Sequence, residues 1–168
     1  MNKRYLVIMS IWVGIIVGLY CMLYQFIPFP AKNLLWVTFV SLPIYFGAGA
    51  KPQEFPNYFC SMIAGVIWAF VYLAAINWFV QMGVSVPLTM LIVVGVITVV
   101  VCVLHLIITA NTWFNKLPMM FGTIAVLFHT NGQDLLTVTA TLTGGLIVGL
   151  LCTVGTNWLA KALIKDQA

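Results

Sequence analysis

The sequence contains very few charged residues. Of its 168 residues, 6% are charged, 63% are hydrophobic and only three are acidic. A soluble domain carries roughly 25% charged residues because its surface must be solvated by water. So few charges cannot solvate a folded chain, and the composition predicts a protein whose solvent is lipid. We therefore expect a single transmembrane domain over residues 1–168, with no room for a soluble domain beside it.

Residues that carry catalysis or bind metals are also scarce. The four cysteines lie in apolar segments without CxxC spacing, which argues against a disulfide framework or a metal site. The two histidines are far apart in the sequence, and nothing resembles a nucleotide-binding loop. We therefore predict that the protein is not an enzyme and has no cofactor. The seven basic residues do not cluster, which argues against a nucleic-acid partner.

Long apolar runs dominate the chain, and they predict an all-α membrane protein with six transmembrane helices. The second and fifth runs are the shortest, and each contains a proline, Pro43 or Pro118. The first run is too long for the core of a signal peptide, so we interpret it as a retained helix. Trp68 lies near the middle of the third run and is expected to face a neighbouring helix or a cavity. The predicted spans are 5–27, 34–50, 58–80, 86–108, 113–128 and 135–163.

The basic residues predict how the chain is oriented. Cytoplasmic loops of membrane proteins carry an excess of lysine and arginine. With six spans and the N-terminus inside, only Lys32 lies outside. A different number of spans would place the basic residues on both sides of the membrane. The bias therefore supports six spans with both termini in the cytoplasm. The predicted cytoplasmic residues are Lys3, Arg4, Lys51, Lys116, Lys161 and Lys165.

An internal repeat divides the chain into halves of about 1–83 and 84–168. At an offset of 80 residues, four residues of the third span match four of the sixth. Three spans in each half would invert the second copy, a 3+3 plan that transporters use with the solute path at the repeat interface. The matching residues are Gly65, Ile67, Asn77 and Trp78 against Gly145, Ile147, Asn157 and Trp158.

The second and fifth spans share a further motif, LPxxFGxxA, at an offset of 75 residues. Pro43 and Pro118 are each expected to free a backbone carbonyl one turn back in a helix. Phe46 and Phe121 would then form an apolar constriction beside those carbonyls. The alternative is that the prolines only kink two packing helices.

His105 is a candidate ionisable group within the membrane, and the offset of 80 pairs it with Gln25. Because an ionisable side chain is costly to bury in lipid, such a residue suggests function. The alternative is a neutral packing histidine near the cytoplasmic interface. His129, at the outer end of the fifth span, is either a pore-mouth residue or an exposed interfacial histidine. The candidate solute path comprises Pro43, Phe46, Gly47, Pro118, Phe121, Gly122, Gln25 and His105.

Small residues recur along three of the spans. Gly14 and Gly18 form a GxxxG motif in the first span, and stripes of small residues follow the third and sixth. Such residues let helices approach closely in lipid. They indicate helix packing, within the chain or between copies in a homo-oligomer, with an approach to permeating solute as the alternative. The stripe residues are Ser61, Gly65, Ala69, Thr141, Gly145 and Gly149.

Two segments resemble a known family. The second span ends in YFGAGAK at residues 45–51, and the third contains SMIAGVIWA at residues 61–69. The chain resembles, over nearly its whole length, the small bacterial inner-membrane proteins catalogued as domain of unknown function 1097. The resemblance implies the multi-span fold and a location in the bacterial inner membrane, but no activity.

The sequence favours a transport function. Ion-coupled carriers usually bury a carboxylate in the membrane, and no predicted span contains one. We therefore predict a passive channel or facilitator for a small, neutral or weakly charged polar solute, with its path at the interface of two inverted halves. The alternatives are a non-transporting scaffold or accessory subunit, and a coupled secondary transporter that uses His105. The predicted partners are the lipid bilayer, the solute and further copies of the chain.

Overall fold

The computed structural model describes residues 3–26 and 32–164, whose regular structure is entirely helical. A helix satisfies its own backbone hydrogen bonds, as apolar segments in lipid require. The all-helical prediction is confirmed. The predicted end of the first span at Ile27 and the cytoplasmic residue Lys165 lie outside the described residues. The helices are α1 (Lys3–Tyr24), α2 (Leu35–Gly47), α3 (Phe55–Gln81), α4 (Val86–Ile108), α5 (Leu117–His129) and α6 (Leu135–Ile164).

Four of these helices, α1, α3, α4 and α6, are long and apolar enough to cross a membrane. α2 and α5 have only 13 residues each. At 1.5 Å per residue each is about 20 Å long, against a hydrocarbon core of about 30 Å. The second and fifth spans are therefore shorter than their apolar runs predict. The described chain is that of a membrane protein with four long and two short apolar helices.

α4 is continuous but not a regular α-helix. Met90–Val94 and Leu104–Ile108 are π-helical, on either side of the α-helical segment Gly95–Val103. π-helical turns are rare and often occur at functional positions. The second of them contains His105. Hydropathy predicted the ends of this span but not its π-helical turns, because apolar content does not report the hydrogen-bond register.

Contacts divide the chain into two compact units. Unit 1 comprises Met1–Phe55 and Ala140–Ala168, and unit 2 comprises Pro56–Thr139. Unit 1 therefore contains α1, α2 and most of α6, whereas unit 2 contains α4, α5 and nearly all of α3. This grouping differs from the predicted halves. α2, from the first half, packs against α6, which ends the second half, and α5, from the second half, packs against α3, which ends the first.

In unit 1, α2 packs closely along α6. A Cβ atom added to Gly145 would lie 2.6 Å from the Thr38 carbonyl oxygen, and one on Gly149 would lie 3.3 Å from the Tyr45 ring. The Ser41 hydroxyl donates to a backbone carbonyl of α6 at 2.7 Å. These contacts advance in the same direction along both helices, so the two helices are parallel. Glycine at these positions lets the two backbones approach each other.

α1 packs against the same long helix in the opposite direction. The Tyr24 and Thr141 hydroxyls lie 2.9 Å apart and share a hydrogen bond. The Trp12 indole N–H donates to the Leu151 carbonyl at 3.0 Å. Gly155, which the sequence pattern did not single out, leaves room for the Trp12 ring. Within unit 1, α1 is therefore held against α6 by polar contacts as well as apolar ones.

In unit 2, α5 packs along α3 in the same manner. A Cβ atom added to Gly65 would lie 2.7 Å from the Met120 carbonyl oxygen and 2.8 Å from the Thr123 Cβ. The Ser61 hydroxyl accepts the Lys116 backbone N–H at 3.0 Å. The contacts again advance together along both helices, so α5 and α3 are parallel. Each unit therefore contains a short helix seated on a glycine of a long one.

α2 and α5 also end in the same turn. In each turn two backbone N–H groups donate to carbonyls of the last helical turn. The donors of the first turn and the corresponding donors of the second are 82 residues apart in the chain (131 − 49 = 82). The two donor residues of each turn are left-handed, with φ of 92° and 39° after α2 and 52° and 73° after α5. The hydrogen bonds run from Gly49 to Phe46, Ala50 to Tyr45, Asn131 to Phe128 and Gly132 to Leu127.

The two LPxxFG copies lie at opposite ends of these short helices. Pro43 is inside α2, where a proline removes a backbone donor. Pro118 is in the first turn of α5, where the missing N–H has no helical partner to lose. The expectation that both prolines free a carbonyl within a helix is therefore wrong for Pro118. The motif matches at an offset of 75, whereas the helices and their turns match at 82.

The close approach of α5 to α3 predicts that Gly65→Ala destabilises the protein. The added Cβ would meet the backbone of Met120, which cannot rotate away, and such overpacking typically costs about 1–3 kcal/mol. The measurement is the midpoint of thermal unfolding in detergent micelles. Gly95→Ala in α4 is the matched control, because its Cβ would meet nothing within 4 Å. Equal losses in the two variants would contradict this account of the packing.

Candidate functional site

A cavity of about 420 Å³ lies in unit 1, where α1 begins and α2 ends. Its wall combines the first turns of α1, the end of α2 with the turn that follows, and the last third of α6. The cavity belongs entirely to unit 1. The described residues that line it are Tyr5, Met9, Phe46, Gly47, Gly49, Thr153, Thr156 and Asn157.

Two hydroxyl groups of the cavity already donate their protons within the protein. The Tyr5 hydroxyl donates to Asn157 Oδ1 at 3.1 Å. The Thr156 hydroxyl donates to the Cys152 carbonyl at 2.6 Å. A hydroxyl has one proton and two lone pairs, so the half-buried Tyr5 oxygen has a lone pair left to offer a ligand, whereas Thr156 is buried. The Asn157 amide nitrogen supplies N–H donors.

The C-terminal end of α2 forms another part of the wall. The last carbonyls of a helix carry the partial negative charge of its macrodipole, and Gly47 is the last residue of α2. Gly49, in the turn, has a φ of 92°, which favours glycine. A Cβ atom there would meet nothing within 4 Å. A ligand can therefore approach the backbone of this turn closely.

The described wall of the cavity contains no acidic residue, lysine, arginine or histidine. Lys51, two residues after Gly49, forms an exposed ion pair with Glu54 at 3.6 Å. Lys3 and Arg4 line a separate cavity on another side of α1. The 420 Å³ cavity therefore presents hydrogen-bonding groups and aromatic rings without a formal charge.

Two other cavities of unit 1 are apolar. One of about 230 Å³ between α1 and α6 has Leu19, Ile147 and Leu151 among its lining residues. Another of about 170 Å³ includes Ile8 and Ile11. Apolar walls of this kind suit lipid chains and offer a polar solute no hydrogen bonds. The cavity at the end of α2 differs from them in its hydroxyl and amide groups.

The predicted path residues fall in two parts of the structure. The half-buried Phe46 and the adjoining Gly47 line the cavity. Pro43 is exposed one turn earlier on α2, and Gln25 is exposed in the turn after α1. These four residues belong to unit 1. The residues in the first turns of α5, in unit 2, are Pro118, Phe121 and Gly122.

His105 is buried in unit 2, and both of its ring nitrogens have partners. The Trp68 indole N–H donates to His105 Nε2 at 2.9 Å. An indole nitrogen only donates, so Nε2 accepts and the imidazole proton sits on Nδ1. Nδ1 lies 2.8 Å from the Phe114 carbonyl oxygen, to which it donates. His105 is therefore a neutral histidine in this structure, and Trp68 faces the neighbouring helix α4.

This arrangement favours the packing interpretation of His105. A proton added to Nε2 would break the hydrogen bond from Trp68, leaving two donors face to face in a buried place. A coupled transporter needs a group that gains and loses a proton during each cycle. The hydrogen bonds of His105 instead hold α4 to α3 and to the segment before α5. The π-helical turn that carries His105 brings its ring to these partners.

The predicted packing residues behave in two ways. Those on α3 and α6 are all buried, whereas Gly14 and Gly18 on α1 are exposed and have open space where a Cβ would stand. Packing of the GxxxG motif against another copy of the chain stays a prediction. His129 is exposed at the end of α5, and its pore-mouth role also stays a prediction. The buried set is Ser61, Gly65, Ala69, Thr141, Gly145 and Gly149.

Most of the polar wall of the cavity was not predicted from the sequence. Thr153, Thr156 and Asn157 recur at helical spacing in an otherwise apolar span, and this pattern could have identified them. Asn157 was noted only as half of a repeated Asn-Trp pair. Tyr5 carried no signal, because its role depends on α1 packing beside a residue 152 positions away.

The comparisons with known proteins identify a family and nothing more specific. The family model described as "Protein of unknown function (DUF1097)" matches residues 10–160. The match covers both segments that carried the family resemblance, so that prediction is confirmed. No curated protein and no solved structure matches the chain. The family therefore supplies no activity, substrate or partner.

The hydrogen bonds of His105 predict that Trp68→Phe destabilises the protein. Phenylalanine leaves His105 Nε2 buried without a donor, which typically costs about 1–3 kcal/mol. The measurement is thermal unfolding in detergent micelles. Trp78→Phe is the matched control, because Trp78 lies on the same helix but is 58% exposed. Unchanged stability together with a new pH dependence of solute flux would contradict the packing role.

Proposed function

We propose that this chain, which belongs to the DUF1097 family, is a passive membrane facilitator or channel for a small polar solute. The observation that carries the proposal is the cavity of about 420 Å³ at the end of α2. Polar side chains are costly in lipid unless they serve a structural contact or a wet site. Tyr5, Thr153 and Asn157 gather around an open space, which suits a site that takes up a solute from water.

The placement of the short helices supports a solute path. Interrupted or short helices inside a membrane protein bring backbone ends to membrane depth, where they bind permeating solutes. α2 ends after 13 residues, and its final residue Gly47 lines the cavity. Because this cavity also contains Tyr5 of the first turn of α1, it lies toward the predicted cytoplasmic side and would form the mouth of the path there.

Passive conduction is favoured over coupled transport. Glu54 lies in the 3-10 helix Pro52–Glu54 before α3 and Asp134 lies just before α6, so none of the long helices α1, α3, α4 and α6, as described, carries a carboxylate for a driving ion. The hydrogen bonds of His105 leave it neutral. The polar groups of the cavity can hold a solute weakly enough to release it, which conduction requires.

We also infer that residues 1–83 and 84–168 are two copies of one three-helix unit. The support lies in contacts within each unit: α2 and α5 have equal lengths, close with matching turns and seat on Gly145 and Gly65. Three crossings in each copy make the repeat an inverted one. This inference keeps both termini on the same side and, with the charge bias, places them in the cytoplasm of a bacterial cell.

A scaffold or accessory subunit is the second candidate, favoured by one observation. Gly14 and Gly18 are exposed on α1, and their surroundings are open. A GxxxG face in lipid fits the close approach of another helix. This role and solute conduction are compatible if the other helix is α1 of a second copy.

The proposal predicts that proteoliposomes containing the protein take up one class of small polar solute faster than empty liposomes. Thr153→Leu should reduce this flux roughly tenfold or more, because it fills the site and removes a hydroxyl, together worth above about 1.4 kcal/mol. Val154→Leu is the matched control, since Val154 is 46% exposed on the neighbouring face of α6. The measurement is stopped-flow swelling with small amides, amines, acids and alcohols. No selective uptake across this panel would refute the proposal.

The inferred topology predicts where reporter fusions are active. A fluorescent protein fused after Ala168 should fluoresce, and alkaline phosphatase at the same place should be inactive, because both report a cytoplasmic C-terminus. Fusions after Lys51 and Lys116 should give the same result, and a fusion after Gln81 the opposite one. An active phosphatase after Lys51 would contradict six crossings and indicate that α2 enters and leaves on one side.

A further inference from the structure

We infer that the solute held in the cavity of unit 1 is a small organic cation, such as a primary or quaternary amine. This inference rests on the proposed function and narrows its substrate class. It draws on three features of the cavity wall: its aromatic rings, its hydroxyl lone pairs and the end of α2. All three lie within unit 1.

Two aromatic residues, Tyr5 and Phe46, line the cavity. The face of an aromatic ring carries negative charge density and attracts a cation, whereas it repels an anion. Both rings are half-buried, so a cation beside them is partly shielded from water, which strengthens the attraction. Met9 adds a polarisable thioether suited to the methyl groups of an alkylammonium ion.

The hydroxyl groups point to the same class. The half-buried Tyr5 hydroxyl has committed its proton to Asn157, so its oxygen accepts hydrogen bonds rather than donates them. A primary ammonium group has only N–H donors and matches such an oxygen, and the hydroxyl of choline can donate to it in the same way. A carboxylate has only acceptors, so it could bond to the Asn157 amide N–H groups but not to these lone pairs.

The end of α2 adds a weak negative field. The carbonyls of its last turn carry part of the helix macrodipole, which stabilises a nearby cation. Gly47 and Gly49 have no side chains to keep a ligand from this backbone. No described wall residue is basic, and the nearby Lys51 is paired with Glu54. With no carboxylate in the wall either, binding is weak enough for rapid release, as a passive facilitator requires.

Choline and its uncharged carbon analogue, 3,3-dimethylbutan-1-ol, test the inference because they share one shape and differ in charge. Equilibrium dialysis against the purified full chain in detergent micelles should show choline binding at least about fivefold tighter than the analogue, within the range of cation–π attraction. Acetate should not compete with choline. Equal binding of choline and its analogue, or displacement of choline by acetate, would overturn the inference.

Substitutions of Phe46 test whether choline binds in this cavity. Phe46→Leu should weaken choline binding by about two- to thirtyfold, which corresponds to roughly 0.5–2 kcal/mol, and should leave binding of the analogue unchanged. Phe46→Trp keeps an aromatic face and should retain choline binding, which shows that the position tolerates change. Phe39→Leu is the matched control, on an exposed part of the same helix. Choline binding that is insensitive to Phe46→Leu would place the cation elsewhere and overturn the inference.

Binding and flux separate this inference from the proposed function. Choline binding without uptake of any solute by proteoliposomes would refute the facilitator and leave the cation site standing. Selective uptake of uncharged amides or alcohols, with no choline binding, would refute the cation and leave the facilitator standing.

Discussion

The close approach of a short helix to a glycine of a long helix is the contact on which the rest of this structure depends. Lipid provides no hydrophobic force between helices, so their association rests on tight van der Waals packing and on hydrogen bonds. In unit 1 the approach at Gly145 and Gly149 fixes α2 along α6. This packing therefore fixes where the end of α2 lies and which part of α6 faces the last turn of α2. The polar cavity lies at that place.

The polar chemistry of the protein is concentrated where the packing leaves space. In unit 2 the imidazole of His105 is satisfied within the fold, since both of its ring nitrogens have hydrogen-bond partners. In unit 1 hydroxyl and amide groups line the cavity at the end of α2. Groups that are satisfied within the fold stabilise it, and groups with lone pairs left over are available to a solute. This contrast makes the cavity, rather than the buried histidine, the candidate site.

Much of the fold could be predicted from the sequence, because its causes are local. Apolar runs predicted the helices, and the stripe containing Gly65 and Gly145 predicted buried helix contacts. The candidate site was harder to predict from the sequence, because Tyr5 contacts Asn157 only through the packing of the first helix against the last. The repeated LPxxFG motif does not mark equivalent places, since the copies occupy opposite ends of α2 and α5. Spacing within a motif does not reveal where a helix begins.

The most direct measurement is the accessibility of a single cysteine in the cavity. Thr153→Cys, in a chain whose four native cysteines are replaced, would be treated with a membrane-impermeant maleimide in inside-out and right-side-out vesicles. The account predicts rapid labelling only from the cytoplasmic side, slowed by the solute that the reconstituted protein takes up. Labelling only from the opposite side, or at a rate that no transported solute changes, would contradict it.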